Sequence, residues 1–287
     1  MAERVQQVVA VMGRGVVDRG AGLASGDDLG LTRGDGCFDA TLVRWDGEGW
    51  LVHDLDEHLE RLRRSADALG IPLADDDAWI ELVGDALQVW QGADEAALKM
   101  VLTRGDEHGD GTPLAFLTLT AVDERMQAQR AGISVVTLPR GYASDGFEGA
   151  PWLLGGVKLL SYAVHVAAKR EASARGADDP VFTSSDGYVL EAPTSAVVWL
   201  RDGVVATTPT GATGILDSIS ARKILGGAEQ HGWRAERRLV TPAELAEADA
   251  VWLVSSVRSV APVTALDGRA LRTDDEATRI VRALNGF

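Results

Sequence analysis

The sequence predicts an α+β fold. Apolar runs of strand length are short and broken by Asp-Gly turn signals. Helical spacing appears between groups of strands and does not alternate with every strand, so a regular doubly wound sheet is not expected. With 46% hydrophobic residues over 287 positions the chain can bury two medium cores. We expect an N-terminal α/β domain over 1–122, a polar linker over 123–132 and a C-terminal domain over 133–287.

In order, Val5 to Val11 reads as a strand ending at a Gly-Arg-Gly turn. Cys37 to Trp45, the Asp46-Gly47 turn and Trp50 to His53 read as a hairpin. Leu55, Leu59, Leu62, Ala66 and Leu69 repeat at helical spacing, with Asp54 or Asp56 as N-cap and Gly70 as the stop. A second helix is expected over 76–91, then strands over 97–104 and 114–121.

Beyond the linker, a strand over 133–138 leads through a Gly-rich, aromatic segment to Lys158. The glycines and aromatics of 139–157 suggest a segment that closes over substrate. Then come a helix over 161–175, strands over 179–184, 188–191, 196–200 and 204–207, and a helix over 219–231. A strand over 233–240, a helix over 242–247, strands over 250–255 and 260–265 and a helix over 274–285 complete the pattern. The strands are expected to be mostly antiparallel.

Composition excludes several functions. A net charge of −15 is wrong for a nucleic-acid partner, whose phosphates demand a basic surface. No run approaches the roughly 20 apolar residues that span a bilayer. The five histidines are scattered without metal-ligand spacing, so no metal site is expected. A single cysteine, Cys37, and a start (Met-Ala-Glu-Arg) without a signal-peptide pattern fit a cytoplasmic location.

Only four lysines occur, against twenty-four arginines. Lys158 follows a Gly-Gly pair among apolar residues, where burial would push its pKa toward the neutral, nucleophilic amine of a Schiff-base lysine. The same position suits a lysine that snorkels its charge into water. Downstream, Asp186-Gly-Tyr-Val-Leu-Glu191 ends a short apolar run on a carboxylate. Glu191 either faces solvent or keeps a pyridinium nitrogen protonated. Ser218-Ile219-Ser220 opens a helix, as an ordinary N-cap or as a phosphate cradle of unpartnered N–H groups. Ser255-Ser256 is a second source of hydroxyls.

Arg61, at the edge of an apolar helix face, is either solvated or reaches inward to a phosphate. Arg104, closing a strand, is a candidate for a substrate carboxylate, and Tyr142 a candidate pocket residue. Thr194, in the Pro-Thr-Ser tract after Glu191, is a further candidate for substrate contact.

The segments Arg33-Gly-Asp-Gly-Cys-Phe-Asp39, Asp56-Glu-His-Leu-Glu-Arg61, Gly-Gly-Val-Lys158, Asp186-Gly-Tyr-Val-Leu-Glu191 and Leu216-Asp-Ser-Ile-Ser220 lie in this order along the chain. Together with Val251-Trp-Leu-Val-Ser-Ser256, they resemble the class IV pyridoxal-phosphate-dependent aminotransferase family. The resemblance covers nearly the whole chain. It implies a two-domain fold type IV enzyme, a homodimer, pyridoxal 5′-phosphate as cofactor, a small-molecule amine as substrate and an active site between the domains with help from the partner subunit. By position, Lys158 resembles the Schiff-base lysine, Glu191 the partner of the ring nitrogen and Arg61 a phosphate ligand. Ile219 and Ser220 resemble the pair whose N–H groups hold phosphate, with Ser218 before them and Ser256 in place of a usual threonine.

Three positions depart from the family pattern: Ala196 for a usual Asn, Ala221 for a usual Arg, and Asp39 for a usual Glu. Within the family the chain is most similar to aminodeoxychorismate lyases, which implies release of pyruvate and 4-aminobenzoate for folate biosynthesis. The alternative is an aminotransferase acting on D-amino acids or branched-chain amino acids.

Overall fold

The computed structural model describes residues 6–287, so Val5 of the first expected strand lies outside the described residues. The chain forms two compact units. The first comprises residues up to Asp123 together with Val157–Tyr162, and the second comprises Glu124–Gly156 and Ala163–Phe287.

The first unit is built on β1 (Gln7–Val11), β2 (Gly15–Val17), β3 (Gly36–Trp45), β4 (Trp50–Val52), β5 (Glu95–Thr103) and β6 (Leu114–Ala121). They form one sheet in the order β2-β1-β6-β5-β3-β4, and every pairing is antiparallel. Short helix α1 (Leu29–Thr32) precedes β3, while α2 (Leu55–Leu69) and α3 (Asp76–Gln88) follow β4. The apolar stripe of α2 packs Leu59, Leu62 and Ala66 into a core with Val43, Leu98, Met100 and Trp79.

Gly70 ends α2 in the left-handed conformation, as its position implies. Asp54 stands at the N-cap but makes no side-chain capping bond, because it too is left-handed (φ 49°). The expected helix over 76–91 stops at Gln88, and Trp90 turns back into the core.

Val157–Tyr162 joins this unit because it lies along the first half of β3. Phe38 N–H donates to Lys158 O (3.0 Å) and Leu160 N–H to Gly36 O (3.0 Å), with a bridge between Cys37 and Leu159.

The second unit opens with α4 (Glu124–Ala128) and a 3-10 turn, Gln129–Ala131, within the polar segment. Its strands are β7 (Ile133–Pro139), β8 (Asp179–Thr183), β9 (Ala196–Arg201), β10 (Val204–Thr207), β11 (Arg234–Arg237), β12 (Ala250–Ser255), β13 (Ser259–Leu266) and β14 (Arg269–Ala270). Its remaining helices are α5 (Ala163–Ala174), α6 (Ile219–Gly227), α7 (Pro242–Leu245) and α8 (Asp275–Leu284). The sheet runs β11-β10-β9-β12-β13-β7-β8, with β14 beside β13.

Three of its pairings are parallel: β10 with β11, β13 with β7, and β7 with β8. The other pairings are antiparallel, so the mostly antiparallel expectation holds and these three are the exceptions. Helices α5 and α6 lie between β7 and β8 and between β10 and β11, and a helical crossover returns the chain in the same direction.

The period of two along a strand sorts side chains into two cores. Val197, Trp199, Val251 and Leu253 enter one. Val198, Leu200, Trp252 and Val254 enter the other, against Ala221 and Ile224 of α6 and Val281 of α8. Burial on both faces explains why β9 and β12 read as unbroken apolar runs.

The strand expected over 188–191 reduces to a single bridge between Thr183 and Val189. Ser184 N–H donates to Tyr188 O and Leu190 N–H to Phe182 O (both 2.8 Å), so the segment runs beside β8 in irregular register, while Val189 N–H turns away to Val240 O (2.8 Å).

Candidate active site

Alternation along β3 sends neighbouring residues to opposite faces of the sheet. Asp39 points into the α2 side, where it is fully buried. Arg61 Nε donates to its Oδ2 and Nη2 to its Oδ1, both at 2.8 Å. His58 Nδ1 lies 2.7 Å from Oδ1. An ionised carboxylate only accepts, so Nδ1 carries the proton. Burial works to raise the Asp39 pKa, but the Arg61 charge and the bonds from Arg61 and His58 overcome it and hold the carboxyl well below the usual carboxylate range. Arg61 is therefore buried and aimed, not solvated.

Phe38 points to the opposite face from Asp39. Lys158 Nζ lies 4.7 Å from its ring centroid and Lys99 Nζ 5.5 Å, while Tyr162 meets the ring edge-on at 5.5 Å. Lys158 is half-buried. Its own backbone is fixed on both sides, since its N–H donates to Ser65 Oγ of α2 (3.3 Å) and its carbonyl accepts from Phe38. Two of the four lysines thus meet one aromatic ring.

Arg104 has a different task from the expected one. Its Nε donates to Asp35 (2.6 Å), and Nη2 and Nη1 donate to the carbonyls of Leu69 (2.7 Å) and Gly70 (3.3 Å) at the end of α2. A guanidinium committed to a carboxylate and a helix C-terminus is a structural clamp, so we do not retain it as a substrate ligand.

In the second unit, half-buried Glu191 accepts a hydrogen bond at Oε2 from Leu216 N–H (3.2 Å). Tyr142 packs edge-on against Phe147 (4.8 Å) and lies beside the Arg140 guanidinium. Burial, opposed by Arg140 and assisted by Glu191, raises its pKa. Segment 139–157 is not a free flap within this unit. Ser144 N–H and Oγ donate to Asp186 (2.9 and 2.7 Å), and Phe147 and Gly156 bond to the carbonyls of Ala212 and Gly214 (both 3.0 Å). Thr194 is exposed and accepts from Lys169 Nζ (3.4 Å).

Helix α6 begins at Ser218, whose Oγ accepts from Ala221 N–H (3.2 Å). The N–H groups of Ile219 and Ser220, next to the cap, have no acceptor among the described residues. Ser256 sits in the turn from β12 to β13. Arg258, Asp179 and His58 also form buried polar contacts, though none stood out in the sequence. The signal for His58 was its place one turn before Arg61 on the same helix face.

Each unit carries groups that suit a different part of a phosphorylated pyridine aldehyde. Two unpartnered amides at a helix start suit a phosphate. A carboxylate supported by a backbone N–H suits a protonated ring nitrogen, and a half-buried lysine suits the aldehyde.

Comparison with known proteins shows the family. The model of the family described as amino-transferase class IV matches residues 36–266. A bifunctional aminodeoxychorismate lyase / D-amino acid transaminase from Mycobacterium tuberculosis is 39% identical over 265 residues, 89% of this chain and 90% of that protein. A fold IV-transaminase from Curtobacterium pusillum superposes with a TM-score of 0.89 at 40% identity, covering 98% of this chain and 100% of that one. The PLP-bound form of a hypothetical aminotransferase from M. tuberculosis gives 0.90 at 36% identity, covering 98% of both chains.

Proposed function

Because the chain belongs to the class IV aminotransferase family, and is on that ground a fold type IV enzyme dependent on pyridoxal 5′-phosphate, we propose that it is an aminodeoxychorismate lyase. The observation that carries this choice is that Lys99 and Lys158 both place an ammonium within 5.5 Å of the Phe38 ring centroid. Aminodeoxychorismate has one amine and two carboxylates. A second ammonium on the ring that the reactive lysine also meets suits such an anion in a chain of net charge −15.

The bound cofactor supplies an aldehyde for covalent attachment and a protonated ring that accepts electrons. In this reading Lys158 is the point of attachment and, as a neutral amine, takes the proton from the amine-bearing ring carbon of the substrate. Glu191 keeps the ring nitrogen protonated. Arg61, Ser256 and the N–H groups of Ile219 and Ser220 hold the phosphate, with Ser218 capping the helix that presents them. Tyr142 and Thr194 face the substrate. Loss of the ring proton and departure of the enolpyruvyl group give pyruvate and 4-aminobenzoate, and aromatisation drives the step. The product is a folate precursor, and a cytoplasmic location fits the single cysteine.

D-Amino-acid transamination is the second reading, favoured by the bifunctional name of the relative from M. tuberculosis. We further propose a homodimer. Trp152, Leu153, Val164 and Val166 of the second unit are exposed apolar side chains that a second copy could cover.

The test is to supply the cofactor-loaded enzyme with aminodeoxychorismate in one reaction and D-alanine plus 2-oxoglutarate in another. Formation of 4-aminobenzoate is expected in the first. Brisk 2-oxo acid exchange in the second with no 4-aminobenzoate in the first would leave only the transaminase reading.

A further inference from the structure

Arg258 is one of two arginines with almost no exposed side-chain surface among the described residues, the other being Arg61. It lies in the β12–β13 turn, two residues after Ser256. Its Nη1 donates to Asp179 Oδ2 at the start of β8 (2.7 Å) and to Gln129 Oε1 (3.2 Å). Its Nη2 donates to Ser195 Oγ (2.6 Å). Ser195 closes the short loop after Glu191, bridged to Ala192. One guanidinium thus ties together a strand start, the loop that follows Glu191 and the turn that carries Ser256.

The turn itself needs such a tie. Ser255 and Ser259 are the last paired residues of β12 and β13, leaving Ser256, Val257 and Arg258 as the connection. Ser259 is buried and adopts φ 69°, the left-handed region that favours glycine. Strain of that kind persists where the surroundings over-determine the backbone. Here they do so from both sides. Arg258 N–H donates to Ser255 Oγ (3.3 Å). Arg130 donates to the carbonyls of Arg258 (3.0 Å) and Val257 (3.3 Å).

We propose that Arg258 is a positioning residue for the cofactor phosphate: by bridging Asp179, Gln129 and Ser195 it holds the strained turn that presents Ser256. The inference rests on the reading of Ser256 as a phosphate ligand. Arg258 itself touches neither phosphate nor substrate in this assignment. Lysine cannot replace it, because one ammonium cannot reproduce a planar fork reaching three acceptors.

The test compares cofactor-free wild type with Arg258→Lys, Ser195→Ala and Ser256→Ala. Affinities for pyridoxal phosphate and for pyridoxal, which lacks the phosphate, are measured by absorbance titration, alongside each variant's melting temperature. Arg258→Lys is expected to weaken pyridoxal phosphate at least about tenfold while leaving pyridoxal within about twofold. A general packing role would weaken both aldehydes equally and would overturn the proposal, as would unchanged affinity for both in a folded variant. If Arg258→Lys does not fold, Ser195→Ala decides, since it removes a single bond; the same selective loss supports the proposal and its absence overturns it. Ser256→Ala tests the underlying reading separately. No phosphate-selective loss there removes Ser256 as a ligand, whereas a selective loss in Ser256→Ala without one in Arg258→Lys removes only Arg258.

Discussion

Arg61 of α2 holds Asp39 of β3 in a two-bond grip, Nε to Oδ2 and Nη2 to Oδ1, each 2.8 Å long. Both side chains are buried, so breaking the pair strands a charge away from water. Asp39→Ala is expected to cost on the order of 3–5 kcal/mol in denaturant unfolding.

The pH dependence follows from the direction of the shift. The folded Asp39 pKa is depressed by Arg61 and His58 against the effect of burial. Its contribution is therefore complete above the unfolded value of about 4 and is lost as pH falls toward the folded value. The gap between wild type and Asp39→Ala should be constant from about pH 5 to 8 and shrink only in acid.

Glu191 accepts from a backbone donor, Leu216 N–H. Glu191→Gln keeps the shape and removes the anion that the protonated ring nitrogen needs. Turnover should fall by about 100-fold or more, as for loss of an electrostatic stabiliser, while cofactor affinity falls much less. Equal losses in both would mean that the carboxylate serves binding alone.

Gly214 adopts φ 68°, and a Cβ there would lie 2.3 Å from the Phe147 ring. Gly214→Ala should destabilise by about 1–3 kcal/mol through overpacking and backbone strain. Because Gly214 lies two residues before Leu216, its effect should reach turnover as well, read from kcat in the folded variant.

Cys37 is fully buried, and burial together with Asp39 and Asp35 pushes its thiol up to about 12. Iodoacetamide at pH 8 should leave it unmodified in the folded protein and label it in denaturant, as followed by intact mass.

Much of this was legible in the sequence. The α2 stripe from Leu55 to Leu69 and its glycine stop needed only helical spacing, and the hairpin of β3 and β4 needed only its Asp-Gly turn. The parallel pairings of β7 with β8 and β10 with β11 were not legible, because apolar runs buried on both faces carry no sign of direction. Among site residues, the helix start at Ser218 and the run ending at Glu191 have local signatures. Arg104 has none that separates a substrate ligand from a clamp on the end of α2; only its partners decide. Arg258 was invisible for the same reason, since Asp179 is 79 residues away in the chain.

The central claim is that Lys158 anchors the cofactor, and four lysines make it directly measurable. The enzyme is loaded with one equivalent of pyridoxal phosphate, reduced with borohydride, digested and sequenced by mass spectrometry. The phosphopyridoxyl mass should appear on the peptide containing Lys158 and vanish in Lys158→Ala. Stoichiometric labelling of Lys99, Lys169 or Lys223 instead, or of none, would contradict the account.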